Sequence, residues 1–181
     1  HLAVVARKDK GIQSKADLKG KKIGVTIGSN GEYFLDTVLL LDKIKRGEIE
    51  TVHLEPGQMF DALMKGEVDG IATWNPQMYR AKKELGDRGI SFYADGLYSP
   101  FFLLASRKDY ISTNPEAIAR VVRALMKSAL FIKNNFDESN MIVAKHLDTQ
   151  PGILREISAK YDFNVSLDQS FLITLENQSK W

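Results

Sequence analysis

Lys22-Ile-Gly-Val-Thr-Ile-Gly-Ser-Asn-Gly-Glu-Tyr-Phe-Leu35 decides the fold: a short apolar strand runs through a Ser/Asn/Gly turn straight into the start of a helix. Ser29 with Glu32 three residues on fits a capping box, in which a hydroxyl and a carboxylate satisfy backbone N–H groups at the helix start. Gly28 and Gly31 allow the backbone to approach a ligand without interference from a Cβ. N–H groups left free at the positive end of the helix would then hold a small anion. An ordinary strand-to-helix connection that binds nothing is written with the same residues, so the turn alone names no function.

Outward from this turn, strand and helix patterns alternate up to about residue 107, after which helix follows helix. Apolar runs rich in Val, Ile and Phe predict strands over 2–7, 22–26, 51–54, 68–73, 90–93 and 101–106, short enough for a mostly parallel sheet. Between them, start signals predict helices over 15–18, 30–45, 57–65 and 77–85, with Pro56 and Pro76 in first-turn positions. Gly66, Gly86 and Gly89 fall where helix C-terminal caps belong. In the second half, Asn114-Pro115-Glu116 opens a long helix with Ile118, Val121, Val122, Leu125, Met126, Leu130 and Ile132 at helical spacing. Further helices are expected from about 138 to 147, from 151 to 161, and from Ser166 onward, where Ser166 with Gln169 repeats the capping-box pattern.

Asp69-Gly-Ile-Ala-Thr-Trp74-Asn-Pro76 is the second junction, a strand whose C-terminal end carries an aromatic and then a helix start. Ligands of open parallel sheets bind outside the carboxyl ends of the strands, so Ser29, Asn30 and Trp74 would face one crevice. Trp74 would give that crevice an apolar wall or a cation–π surface; as a packing residue at the sheet edge it would do neither. Half-buried anchoring accounts for Tyr33, Tyr93 and Tyr98.

Other chemistries fit poorly. Gly28-Ser-Asn-Gly31 lacks the Gly-Lys-Ser/Thr ending of a P-loop, and Gly24-Val-Thr-Ile-Gly28 does not supply Gly-x-Gly-x-x-Gly, although Glu55 sits about where a ribose-binding acid would. His53 and His146 have no partner at metal-ligand spacing and read as structural; the terminal His1 is given no role. No catalytic residue, metal site or cofactor is therefore assigned. Cysteine is absent from all 181 residues, which removes disulfides, thiolate sites and a cysteine nucleophile. The net charge of +2 comes from interspersed acids and bases, which argues against a nucleic-acid surface. Leu2 to Arg7 lacks the basic flank of a signal peptide, so any targeting segment is expected outside this sequence.

Taken in order, Asp17-Leu-Lys-Gly-Lys-Lys-Ile-Gly-Val25, the Ser29 to Leu35 turn, Ala62-Leu-Met-Lys-Gly-Glu-Val-Asp-Gly-Ile-Ala-Thr-Trp-Asn-Pro76 and Asn114-Pro-Glu-Ala-Ile118 resemble the solute-binding proteins of ABC importers for sulfonates, taurine, nitrate and thiamine precursors. The resemblance runs over nearly the whole chain. It implies a type II periplasmic-binding-protein-like α/β fold: one α/β lobe with a mostly parallel sheet, plus a C-terminal helical return to an incomplete first lobe. On that scheme 1–11 is an inter-lobe crossing, 12–98 the ligand-binding lobe, 99–107 the return crossing and 108–181 the helical part of lobe one. Gly28, Ser29, Asn30 and Gly31 would hold the ligand's acidic group, with Trp74 and Asn75 lining the pocket.

The family's usual opening section, which builds most of the first lobe's sheet, is absent from the sequence, so the helices after Asn114 would need another surface to cover them. A longer protein or a homo-oligomer would supply it. The function implied is capture of a small anionic or zwitterionic organic solute for an ABC permease, without catalysis, in a periplasmic or other extracytoplasmic location. Two alternatives use the same fold. One is a ligand-sensing domain with a signalling partner, which sequence beyond Trp181 would reveal. The other is an enzyme resembling the pyrimidine synthase of thiamine biosynthesis, whose cysteine-rich motif has no counterpart here.

Overall fold

In the first half of the chain the order is β1 (Leu2–Arg7), β2 (Lys22–Val25), α1 (Asn30–Leu41), β3 (Glu50–His53), α2 (Met59–Lys65), β4 (Gly70–Trp74), α3 (Gln77–Leu85) and β5 (Gly89–Phe92). A computed structural model describes residues 2–94, 98, 100–147 and 149–181. It divides into two compact units, one running to Pro100 and including Trp181, the other from Phe101 to Lys180. The expected boundary between lobe and return crossing involves residues 95–97 and 99, which lie outside the described residues.

The five strands of the first unit form one sheet in the order β3-β2-β4-β1-β5. Strand β2 pairs in parallel with β3 and β4, while β1 pairs antiparallel with both β4 and β5. Four strands thus run one way, as a mostly parallel sheet requires, and β1 alone runs the other; because β1 is at an inner position, two of the four pairings are antiparallel. Its alternation explains the placement: Leu2, Val4 and Ala6 enter one apolar cluster and Ala3 and Val5 the other. A strand that is apolar on both faces is stable only when both are covered.

Helix α1 covers the first face, burying Phe34, Leu35, Val38 and Leu39 with Ile12, Leu18, Ile23 and Val25. Helices α2 and α3 cover the second, with Met59, Leu63, Met78, Ala81 and Leu85 packed on Val5 and Ile71. Each fully buried aliphatic side chain contributes about 1.5–3 kcal/mol over leaving it in water. These three layers hold the β2–α1 and β4–α3 junctions at the same carboxyl edge of the sheet.

Several helix ends differ from expectation. Helix α1 stops at Leu41 rather than near 45, because Lys43 takes a left-handed conformation (φ 56) and the next residue folds back. The Ile44 N–H then donates to Leu39 O at 2.9 Å and the Lys43 N–H to Leu40 O at 3.1 Å. This is the glycine-type ending made by a lysine, secured by burial of Ile44 against Leu39. Pro56 precedes α2 by a turn and Pro76 is the residue before α3, so neither occupies the first helical position. Gly66 ends α2 with φ 74 as expected, and Gly89 caps the short 3₁₀ helix Gly86–Arg88, its N–H donating to Gly86 O, but with extended backbone (φ −102) because it also opens β5.

The second unit contains α4 (Lys108–Thr113), α5 (Pro115–Asn134), α6 (Phe136–His146), α7 (Pro151–Ser158) and α8 (Gln169–Lys180). Residues 101–106 are not a strand: no described strand pairs with them, and Phe101 to Leu104 are exposed. Pro115 opens α5 as expected, whereas the preceding short helix α4 was not anticipated. Helix α8 is started by Asp168 rather than by Ser166, its carboxylate accepting the Phe171 N–H at 3.3 Å and the Ser170 hydroxyl. Those two donors hold the Asp168 carboxyl below its ordinary range. Between α6 and α7 the Ser158 hydroxyl donates to Asn140 Oδ1 at 2.6 Å, and among the described residues of this unit those buried are Ser139, Asn140, Ala144 and Ile157. No helix among the described residues is long and apolar enough to cross a membrane.

Candidate functional site

The β2–α1 turn is built by the residues expected to cap it, in a different arrangement. Ser29 has extended backbone (φ −109, ψ 167), and its Oγ accepts the Gly31 N–H at 3.1 Å while donating to Thr26 O at 2.6 Å. Glu32 does not return to the Ser29 N–H as a capping box requires; its Oε2 accepts the Gly28 N–H at 2.7 Å, one residue earlier. The left-handed conformation of Gly28 (φ 74) turns that N–H toward the carboxylate. Two of the four N–H groups are thereby used internally. Those of Ser29 and Asn30 find no acceptor among the described residues and remain available at the helix start.

The turn is braced from both sides. His53, at the end of β3, accepts the Ile27 N–H on Nδ1 at 3.2 Å, and its Nε2 lies 3.4 Å from Glu55 Oε1. His53 therefore has the structural task expected of it, and Glu55 is engaged with it rather than with a ribose site. Arg46 reaches Glu32 Oε1 at 2.8 Å and also pairs with Asp36. The sequence reading gave Arg46 no place here, because a contact over 14 residues carries no local periodic signal.

Trp74 meets the turn directly. A Cβ at position 31 would lie 3.1 Å from Cζ3 of Trp74, 3.2 Å from the carbonyl oxygen of Ala72 and 3.3 Å from Ser29 Oγ. Glycine at 31 is thus required by close approach of the indole, not by backbone conformation. Trp74 is half-buried against the α1-side core, so packing and the wall of a crevice are two roles of one ring. Gly31 lies against both Ser29 and Trp74, so the two junctions meet, while of the expected trio Ser29, Asn30 and Trp74 the residue Asn30 enters with its backbone N–H at the helix start. Asn75 follows, and its Oδ1 is buried without a hydrogen-bond partner, as is the Oγ1 of Thr73 two residues before. Such atoms are uncommon, because an unpaired buried polar group costs about 1–3 kcal/mol.

A sequence profile described as NMT1/THI5 like matches residues 1–139. The chain belongs to that family. A binding protein of Brucella abortus (strain 2308) is 26% identical to it over 169 residues, covering 91% of this chain and 52% of the relative. The taurine-binding periplasmic protein of Escherichia coli (strain K12) is 32% identical over 129 residues, covering 71% of this chain and 38% of that protein. Among solved structures, the periplasmic aliphatic sulphonate binding protein of Escherichia coli superposes with a TM-score of 0.82 at 21% identity, covering 98% of this chain and 61% of that one. The periplasmic-binding-protein fold expected from the resemblance is the fold observed. This NMT1/THI5-like chain spans about half the length of the curated relatives it matches.

Concave surface also exists at the opposite, amino edge of the sheet. A cavity of about 420 Å³ is lined by Arg7, Phe60, Met64, Glu84, Leu85 and Arg88. Arg7 is already committed there: it forms a two-point ion pair with Asp9 at 2.7 and 3.0 Å and donates to Leu63 O and Met64 O at the end of α2. Its guanidinium keeps the Asp9 carboxyl below its ordinary range. That edge offers a ligand fewer free donors than its cations suggest, and the β2–α1 turn is the better candidate. Among the described residues no group of three or more His, Asp or Glu is placed to hold a metal ion.

Proposed function

We propose that this chain is the ligand-holding part of a solute-binding protein that serves an ABC importer, working outside the cytoplasm and without catalysis. The solute is a small anionic or zwitterionic organic molecule of the sulfonate, taurine, nitrate or thiamine-precursor type. The observation that carries the reading is the pair of unpartnered N–H groups on Ser29 and Asn30 at the start of a 12-residue helix, beside the Trp74 ring. Gly28 and Gly31 shape the turn, Trp74 and Asn75 line it, and a permease receives the solute. Residues 1–11 and 99–107 are the crossings about which two lobes close, with 12–98 and 108–181 contributing to one lobe each. The binding role of the relatives supports this reading.

A thermal-shift screen against taurine, alkanesulfonates, nitrate, bicarbonate, pyrimidines and amino acids tests it, because a ligand of the native state raises the melting point by mass action. A shift with one class is expected. Asn30→Pro removes one of the two free N–H groups at the first helical position, where proline is tolerated, and should weaken that ligand about tenfold. Unchanged affinity in a folded Asn30→Pro protein would sink the helix-start site.

A further inference from the structure

A second cavity at the amino edge of the sheet differs in chemistry from the one around Arg7. Its lining residues follow those of the Arg7 cavity by one in the sequence: Lys8 after Arg7, Gly86 after Leu85 and Gly89 after Arg88. It measures about 340 Å³, with Val5 and Ile90 as apolar lining and Lys8, Lys82 and Ser91 as the side chains able to donate. Glu84 lines the Arg7 cavity, whereas among the described residues no Asp or Glu lines this one.

The donors are positioned and uncommitted. Lys82, on α3, donates to the Tyr93 hydroxyl at 2.8 Å and lies 5.5 Å from the centre of that ring, which anchors the ammonium and leaves two of its three hydrogens. Lys8 makes no ion pair among the described residues, and the acids around it are engaged elsewhere: Asp9 with Arg7 at 2.7 Å, and Asp69 with the Lys22 N–H at 2.9 Å. The Ser91 hydroxyl, half-buried on the edge strand β5, makes no hydrogen bond among the described residues. Gly86 ends α3 with φ 51 and Gly89 would bring a Cβ within 2.8 Å of Leu85, so the turn between α3 and β5 adds backbone and no side chain at these two positions of the wall. Asp87, in that turn, lines neither cavity.

We propose that this cavity is a second ligand site, separate from the β2–α1 turn, which binds a tetrahedral oxyanion of phosphate or sulfate type through Lys8, Lys82 and Ser91. Two ammonium groups and a hydroxyl, with no opposing carboxylate, match the several acceptor oxygens of such an ion. A bound oxyanion ties the residue after β1 to α3 and to β5, the strand that reaches the sheet only through β1.

Inorganic phosphate is the probe, titrated calorimetrically at low ionic strength into the 181-residue chain. Saturable binding is expected, weakened about tenfold in Lys8→Gln and in Lys82→Gln and about threefold in Ser91→Ala, with melting curves showing that each variant is folded. Lys83→Gln, one residue along α3 and outside the cavity, should leave phosphate binding unchanged. Equal losses in Lys82→Gln and Lys83→Gln would reduce the effect to diffuse attraction by positive charge and overturn the site. Loss of phosphate binding in Asn30→Pro with none in Lys8→Gln would assign it to the helix start instead, and absence of saturable binding to the folded chain would remove the site altogether. Glycerol phosphate separates the two sources of this chemistry: tighter binding than inorganic phosphate assigns the site to an organic ester, and equal or weaker binding to the free ion.

Discussion

The two units of this molecule use amphipathic helices in opposite ways. Up to Pro100, α1, α2 and α3 each press an apolar face onto a sheet, and Leu35, Leu39, Met59 and Leu63 are at most 2% exposed. From Phe101 on, α5 carries an equally regular apolar stripe, yet it contains no buried residue; Leu125 is 40% and Leu130 59% exposed. The helices differ less in sequence than in what lies beside them. Periodicity specifies a face, and only a neighbouring layer turns that face into stabilisation.

Core deletion gives the largest expected contrast. Leu35→Ala should destabilise the chain by about 2–5 kcal/mol, while Leu125→Ala should cost under about 1 kcal/mol, each read from urea unfolding. Similar losses at both positions would show that the α5 stripe is covered in solution and would break the comparison. Trp74→Ala comes next, weakening solute binding by about 1–3 kcal/mol if the ring lines the site; a loss of folding stability alone would return Trp74 to a purely packing role. Gly31→Ala should cost about 1–2 kcal/mol of stability, since the added methyl must displace the indole or a backbone carbonyl.

The smallest effect is electrostatic. In the first unit Asp17 accepts the Gln13 and Ser14 N–H groups and the Ser14 hydroxyl, which hold its carboxyl below the ordinary range. In the second, Asp109 is lowered by Arg107 and Asp168 by Ser170 and Phe171. A folded-state value below the unfolded one stabilises above the unfolded value and is lost as pH falls through the folded one. Stability measured by thermal melting should therefore decline below about pH 4. Asp17→Asn should remove part of that decline, and a melting profile flat through this range would sharpen the view that exposed carboxylates add little here.

Alternation of strand and helix, and the caps at Ser14, Ser29 and Pro115, were legible because they are local. The mostly parallel sheet followed from strands apolar on both faces, but the reversed direction of β1 did not, since strand pairing across some 65 residues leaves no mark in periodicity. Residues 101–106 have strand composition without a partner, and composition cannot supply one. At the candidate site, Gly31 and Trp74 were legible as a pair of junctions on one sheet edge. The exchange that sends Glu32 to Gly28 and brings Arg46 to Glu32 depends on side-chain reach over the turn, which spacing alone does not encode. Lys43 as a left-handed helix end was missed because glycine is the usual signal.

The reversed strand β1 also dictates when the sheet can be completed. Residues 2–7 precede the other described strands in the sequence, yet they sit between β4 and β5 and pair with residues 70–74 and 89–92. Until both later strands exist, the first strand has no place to go, and β5 has no neighbour except β1. Closure of the sheet is a late, long-range event in folding, with a correspondingly slow rate. Strands β2, β3 and β4 can pair with one another without β1, whereas β5 joins the sheet only through it, so the sheet is held together at that side by contacts between residues 2–7 and residues 70–92.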